Sequence, residues 1–282
     1  MRSSWVVAIV LLTAAQAGAQ APGSMTASGR NAQDQIGQQK ILQGDLAGAE
    51  VVYRAMLAGA GADKIWQAAA LNNLGIIAQD RGDLATAEEY QKRALALDTE
   101  LGRKENQGVD LNSLGDIAAV RGDLAAAEDY YKRALALAEQ LGKRDGQAAI
   151  LTNLGIIAQG RRDLATAEDL EKRALALNVE LGSKQGQAMN LGELGNVAQM
   201  HGDLAMSEDY QKRALALNTE LGRKEGQAIN LGNLGRIARS RGNLPAACDF
   251  YRKSLTLYED MNARWSQNAS TVRNNIARSC QH

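Results

Sequence analysis

The sequence predicts an all-α fold: a right-handed α-α superhelical solenoid of about six helix-turn-helix repeats, closed by a C-terminal capping helix. Three observations predict it. The tripeptide Gly82-Asp83-Leu84 returns as Gly122-Asp123-Leu124 and Gly202-Asp203-Leu204, and in altered form as Arg162-Asp163-Leu164 and Gly242-Asn243-Leu244. Each copy lies 40 residues from the last, and a degenerate copy, Gly44-Asp45-Leu46, lies 38 residues before the first. Self-similarity at such a period marks a repeat architecture. The composition favours helix over sheet, with only 2 Pro, 1 Phe and few β-branched residues among abundant Ala and Leu. Within one period the apolar residues also fall on helical stripes. Leu71, Leu74, Gly75 and Ala78 form one, and Leu84, Ala87, Tyr90, Ala94, Leu97 and Leu101 form another.

The elements follow in order. Residues 1–19 read as a signal peptide: Arg2 supplies the positive start, Trp5 to Thr13 the short apolar core, and Ala17-Gly18-Ala19 an A-x-A cleavage site. That core is far shorter than the roughly 20 residues needed to span a bilayer, so the mature chain is expected to be exported, periplasmic or secreted. Residues 20–29 read as a flexible linker. The repeats are expected at about 30–66, 67–106, 107–146, 147–186, 187–226 and 227–261, with a cap over 262–282. In the second repeat the first helix is expected over Ala68 to Arg81. Gly82 then tolerates positive φ, Asp83 caps the second helix, Gly102 ends it, and Arg103 to Gln107 connect onward.

Gly75, Gly115, Gly155, Gly195 and Gly235 recur inside first helices, where each costs about 1 kcal/mol relative to Ala. Close backbone approach beside Ala87 or Ala94 is the expected offset. Gly192 and Gly232 add a second glycine to two first helices, either for close contact or for local pliancy. Stability is expected from stacking, since neither helix of a pair buries its stripe alone. The cap, Ala263 to Cys280, carries Trp265, Val272 and Ile276 as apolar residues. Cys248 and Cys280 fall where antiparallel packing of the cap would join them. A disulfide is admissible in an exported chain, and the alternative is two unrelated thiols.

The run Leu74-Gly75, Gly82-Asp83-Leu84, Ala87 and Ala94-Leu95 resembles the signature of the tetratricopeptide repeat. The 40-residue period narrows the likeness to the long variant found in spindle-orientation scaffolds, kinesin light chains and many bacterial repeat proteins. The resemblance spans roughly Asn31 to Met261; Gln91 stands where the family usually has an aromatic residue. It implies a concave groove lined by the first helices, with extended peptides as ligands. Carried over by position, the candidate groove residues are Asn72, Asn73, Ile76, Asn112, Asp116, Asn153, Ile156, Asn196, Asn233, Arg236 and Arg239, with Glu193 and Gln159 beside them. Asparagine suits this role because its amide both donates and accepts. Arg236 and Arg239, three apart, share a face and would meet an acidic side chain or a C-terminal carboxylate.

Other functions are disfavoured. The 32 basic and 32 acidic residues give a net charge of +0, which argues against nucleic acid. The two histidines, His201 and His282, make no metal site with spaced cysteines, and no nucleotide or nucleophile motif stands between a strand and a helix. No enzyme and no cofactor are expected. Carboxylates at Glu88, Glu128, Glu168 and Glu208 pair at i,i+4 with Lys92, Lys132, Lys172 and Lys212, the pattern of a solvated outer face. A peptide-binding adaptor, a self-assembling structural protein and a non-catalytic subunit of an envelope complex all fit these features.

Overall fold

The computed structural model describes residues 27–261 and 266–280. The described residues form thirteen α-helices and no strand. They divide into two compact units that meet in sequence at Gly142 and Lys143. The first unit holds α1 (Ala27–Leu42), α2 (Leu46–Gly59), α3 (Lys64–Asp80), α4 (Leu84–Glu100), α5 (Lys104–Arg121) and α6 (Leu124–Gln140). The second holds α7 (Arg144–Gly160), α8 (Leu164–Glu180), α9 (Lys184–His201), α10 (Leu204–Glu220), α11 (Lys224–Ser240), α12 (Leu244–Glu259) and α13 (Ser266–Ser279). Within each unit, a first helix packs most closely on the second helix of its own pair, and that second helix packs on the next first helix.

The Gly-Asp-Leu turn explains the pairing. At the end of α3, Gly82 takes φ +81°. The Gly82 amide donates to Gln79 O (2.9 Å) and the Asp83 amide to Ala78 O (2.9 Å), so the last carbonyls of the helix are satisfied. Asp83 then accepts a hydrogen bond from the Thr86 amide at 3.2 Å and starts α4. One residue thus closes one helix and opens the next. The same capping recurs at Asp123 (3.0 Å), Asp163 (3.2 Å), Asp203 (2.9 Å) and Asn243 (3.1 Å).

Two boundaries differ from expectation. First helices begin about four residues earlier than the apolar stripe: α3 starts at Lys64 and α5 at Lys104, so most of the stretch Arg103 to Gln107 is helical. The Arg103 amide closes α4 by donating to Asp98 O (2.9 Å), and the Gln107 amide already donates back to Arg103 O (3.0 Å). The connection therefore needs only three residues, Leu101, Gly102 and Arg103, between helices. At the start of the chain, α1 begins at Ala27, inside the segment expected as a linker. The rest of that segment and the leader 1–19 lie outside the described residues, as does Trp265.

The last pair is covered by α13, whose buried Ala269 and Val272 pack with Tyr251 and Tyr258 while Ile276 adds to the same cluster. Cys248 and Cys280 are joined there by a disulfide, with Cα atoms 5.5 Å apart.

The recurrent helix glycines have a different partner from the one expected. A Cβ at Gly75 would meet Gln91 Nε2 at 2.7 Å, and one at Gly115 would meet the Tyr131 ring at 2.5 Å. Gly155, Gly195 and Gly235 face Glu171, Gln211 and Tyr251 in the same way. The side chain lying over each glycine is thus one turn from the alanines that were expected there. Gly192 and Gly232 are different, because a Cβ there would meet nothing nearer than 3.7 Å and 3.6 Å.

Three substitutions test the backbone. Among the described residues, Arg162 is the one non-glycine residue at positive φ (62°), in the place of Gly82. The left-handed conformation costs a side-chain-bearing residue about 1–2 kcal/mol, so Arg162→Gly should stabilise the protein by about 1 kcal/mol in urea unfolding. In the same assay Gly192→Ala should gain up to about 1 kcal/mol. Gly115→Ala should lose about 1–3 kcal/mol, because the stiff Tyr131 ring must move.

Candidate functional site

The side chains over the glycines organise a buried polar seam. In the first unit Asn72 donates from Nδ2 to Gln91 Oε1 (3.2 Å) and to Asp110 Oδ1 (2.8 Å), and Gln91 Nε2 returns a bond to Asn72 O (3.2 Å). Asp110 also meets Asp98, beside which Arg103 Nη1 lies 3.3 Å from Oδ1. Burial pushes the Asp110 carboxyl well above the ordinary range, and the neighbouring Asp98 adds to the effect.

The second unit repeats the wiring with amides. Asn178 Nδ2 donates to Asn190 Oδ1 at 2.8 Å, and Asn190 Nδ2 donates to Thr152 Oγ1 (2.7 Å) and Glu171 Oε2 (2.8 Å). One repeat on, Asn218 Nδ2 donates to Asn230 Oδ1 (2.8 Å), and Asn230 Nδ2 to Gln211 Oε1 (2.8 Å). Gln91, Glu171, Gln211 and Asn190 are wholly buried. Burial raises the Glu171 carboxyl well above its usual range, with Glu193 adding like-charge repulsion. Buried polar groups are stabilising when paired, and these bonds tie α9 to α8 and α11 to α10, although Glu171 Oε1 and Asn218 Oδ1 are left without a hydrogen-bond partner.

This seam claims some residues expected to line the groove. Asn72 turns into it, and Asn73 bonds Ala69 O of its own helix at 3.0 Å. Asp116 is buried, accepting from the Tyr131 hydroxyl (2.6 Å) and from Asn112 Nδ2 (3.3 Å). Burial lifts its carboxyl to about 7 despite the Tyr131 hydrogen bond. Ile76, in the first unit, and Asn153 and Ile156, in the second, are half-buried on their first helices.

Three expected residues do come together. On the face shared by α9 and α11, Asn233 Nδ2 donates to Asn196 Oδ1 (3.2 Å), and Arg236 Nη2 donates to Asn233 Oδ1 (2.8 Å) and Asn196 Oδ1 (3.5 Å). Asn196 Nδ2 continues the chain to Glu193 Oε2 (3.1 Å), which also accepts from Gln159 Nε2 (3.2 Å). The row runs across three first helices, α7, α9 and α11. Arg236 is exposed and Arg239 half-buried at its end.

The opposite face is laced with ion pairs. Glu88 binds Lys92 at 2.6 Å and also Arg121 of the next first helix; Glu208 does the same with Lys212 (2.6 Å) and Arg241. These exposed pairs contribute little individually, yet Arg121 also donates to Leu84 O (2.9 Å) and so fastens one repeat to the next. No group of three or more His, Cys, Asp or Glu side chains among the described residues is placed to hold a metal. No described helix is long and apolar enough to cross a membrane.

Stacked helix pairs with a polar first-helix face define an all-α repeat protein of the solenoid class. The chain belongs to the tetratricopeptide repeat family, whose models match residues 109–178 and 186–260 and, for a second model of that description, 67–97. No curated protein matches the sequence. Among solved structures it is similar to BtubC (BKLC) from P. vanneervenii, with 22% identity and a TM-score of 0.63 over 85% of this chain and 94% of that one. PilW, described as a widely conserved type IV pilus biogenesis factor, is 20% identical with a TM-score of 0.63 over 86% of this chain and 97% of that one. The apo form of RapI is 13% identical with a TM-score of 0.68 over 89% of this chain and 96% of that one. At these identities the likeness is one of fold.

Asp116 supplies a pH test. Its carboxyl is raised from 3.8 to about 7 in the folded protein. The protonated form is therefore favoured by folding, and that stability is complete below the unfolded value and lost as pH rises through 7. Asp116→Asn should remove about 2 kcal/mol of the decline in unfolding free energy between pH 5 and 8, read from urea curves. An unchanged slope would mean that Asp116 is charged throughout.

Proposed function

We propose that this protein is an exported interaction scaffold that binds an extended peptide segment of a partner protein along its first-helix face. The observation that carries this reading is the row Gln159, Glu193, Asn196, Asn233 and Arg236 on α7, α9 and α11. Its amides bond one another side by side, and Asn196 Oδ1 also accepts from the buried Gln211 Nε2 at 3.4 Å. Each is a donor and acceptor that a peptide backbone can take over without leaving a group unpaired. Such a row suits main-chain recognition, which is tolerant of sequence, with specificity left to the basic end.

Export rests on the short leader signature of residues 1–19 and is supported by the Cys248–Cys280 bond, a linkage that persists in oxidising compartments. One fold relative, PilW, is described as a pilus biogenesis factor, which is consistent with work at the cell envelope. Catalysis has no support in the site, whose polar groups are mutually satisfied amides and ion pairs.

The test compares two double variants in co-purification from the native host. Asn196→Ala with Asn233→Ala should lose the bound partner. Lys212→Ala with Arg213→Ala, on the outer face, should keep it. The reverse pattern would place recognition on the outer face and refute the proposal. Mass spectrometry of the secreted chain should find no free thiol at Cys248 or Cys280; two free thiols would remove the support that the disulfide lends to export.

A further inference from the structure

On the outer face, a glutamate on each of α2, α4 and α10 receives two cations. Its Oε1 takes a basic residue one turn on in its own helix, and its Oε2 takes an arginine of the next first helix. Arg54 and Arg81 hold Glu50 in this way, Lys92 and Arg121 hold Glu88, and Lys212 and Arg241 hold Glu208. Arg121 and Arg241 each set Nη2 at 2.9 Å from a main-chain oxygen, Leu84 O and Leu204 O. One carboxylate oxygen and one carbonyl thus make a receptor that matches the fixed donors of a guanidinium.

The same receptor between α8 and α9 has no arginine. Glu168 Oε1 lies 2.6 Å from Lys172 as in the other repeats. His201, however, stands where Arg81, Arg121, Arg161 and Arg241 stand at intervals of 40 residues. Imidazole is shorter than the arginine side chain, and among the described residues no ion pair or hydrogen bond joins His201 to Glu168 or to Leu164 O. Glu168 keeps 32% of its side chain exposed, against 26% for Glu88 and Glu208. A second departure falls at the same place. Met206, 45% exposed, replaces the Thr86, Ala126, Thr166 and Ala246 of the other repeats. Glu168, His201, Asp203, Met206 and Tyr210 bound a cavity of about 130 Å³ floored by Val197, and its counterpart walled by Arg241 is about 90 Å³. A pliant thioether there suits the methylene stem of a long cationic side chain.

We propose that the Glu168 cavity docks an arginine side chain of a partner protein, whose guanidinium takes Glu168 Oε2 and Leu164 O as Arg121 and Arg241 take their equivalents. The site lies away from the first-helix row and stands whether or not that row binds a peptide. Lys172 stays on Oε1, the stem lies along Met206, and Asp203 adds a second acidic group to the rim. The two acceptors select arginine over lysine, which brings a point charge instead of a fork.

The test titrates the full chain, labelled at its methionine methyls, with acetyl-Gly-Arg-Gly-amide at pH 8 and follows the Met206 resonance. The arginine peptide should shift it saturably, and the neutral citrulline peptide of the same shape should not. Glu168→Gln should weaken binding about fivefold, the expected loss of one partly exposed ion pair. His201→Arg supplies the guanidinium from within, so it should abolish the shift and melt no lower than the parent. Equal shifts with the citrulline peptide, or undiminished binding in either variant, would overturn the site. A lower melting temperature in His201→Arg would do the same, by showing that the cavity does not admit a guanidinium. Free arginine binding as tightly as the capped peptide would overturn the protein partner and make the occupant a small guanidine.

Discussion

Every helix pair depends on one contact, the side chain of the second helix that lies across a glycine of the first. That position is Tyr53, Gln91, Tyr131, Glu171, Gln211 and Tyr251 in turn, over Gly37, Gly75, Gly115, Gly155, Gly195 and Gly235. Glycine inside a helix is unfavourable by itself, but a methyl group at any of these positions would collide with the side chain above it. The contact sets how closely the pair approaches. That in turn decides which neighbouring groups are sealed from water and must be matched.

The matching is done in two ways. At Tyr53 and Tyr131 the hydroxyl reaches out to a first-helix carboxylate, Asp34 and Asp116 respectively. Where the position is Gln or Glu, it joins a seam with the next first helix, as Gln211 does with Asn230 and Glu171 with Asn190. Nearly identical repeats could pack in wrong order or register, because their apolar stripes are alike. Buried donors and acceptors that pair in only one arrangement penalise the alternatives, in the way a buried polar residue sets register in a coiled coil. The carboxyls of Asp110 and Glu171 belong to the same scheme, since burial in the seam disfavours their charged forms and raises both above the usual carboxylate range.

Much of this was readable from residues alone, and the remainder was hidden for physical reasons. The Gly-Asp-Leu triplet shows the turn directly, because glycine at positive φ and aspartate at the cap are local requirements. The helix starts were less visible: Lys104 and Lys184 are polar residues before the apolar stripe, and only hydrogen bonding shows that they are already helical. The seam was invisible. Gln91 and Asn190 are polar residues, and the partners that meet them in the core lie 12 or more residues away in the chain. Asn72 was expected in the groove and turns inward for that reason, whereas Asn196, Asn233 and Arg236 meet on the outer side of the first helices. One signal was available: tyrosine, glutamine and glutamate alternate at a position that is aromatic in related repeats.

The dependence of stacking on the buried seam is most directly measured by a double-mutant cycle on Asn218 and Asn230, whose side chains meet at 2.8 Å across α10 and α11. Urea unfolding of Asn218→Ala, Asn230→Ala and the pair should show a coupling of about 1 kcal/mol or more. Additivity within about 0.3 kcal/mol would contradict it, leaving apolar burial alone to join successive repeats.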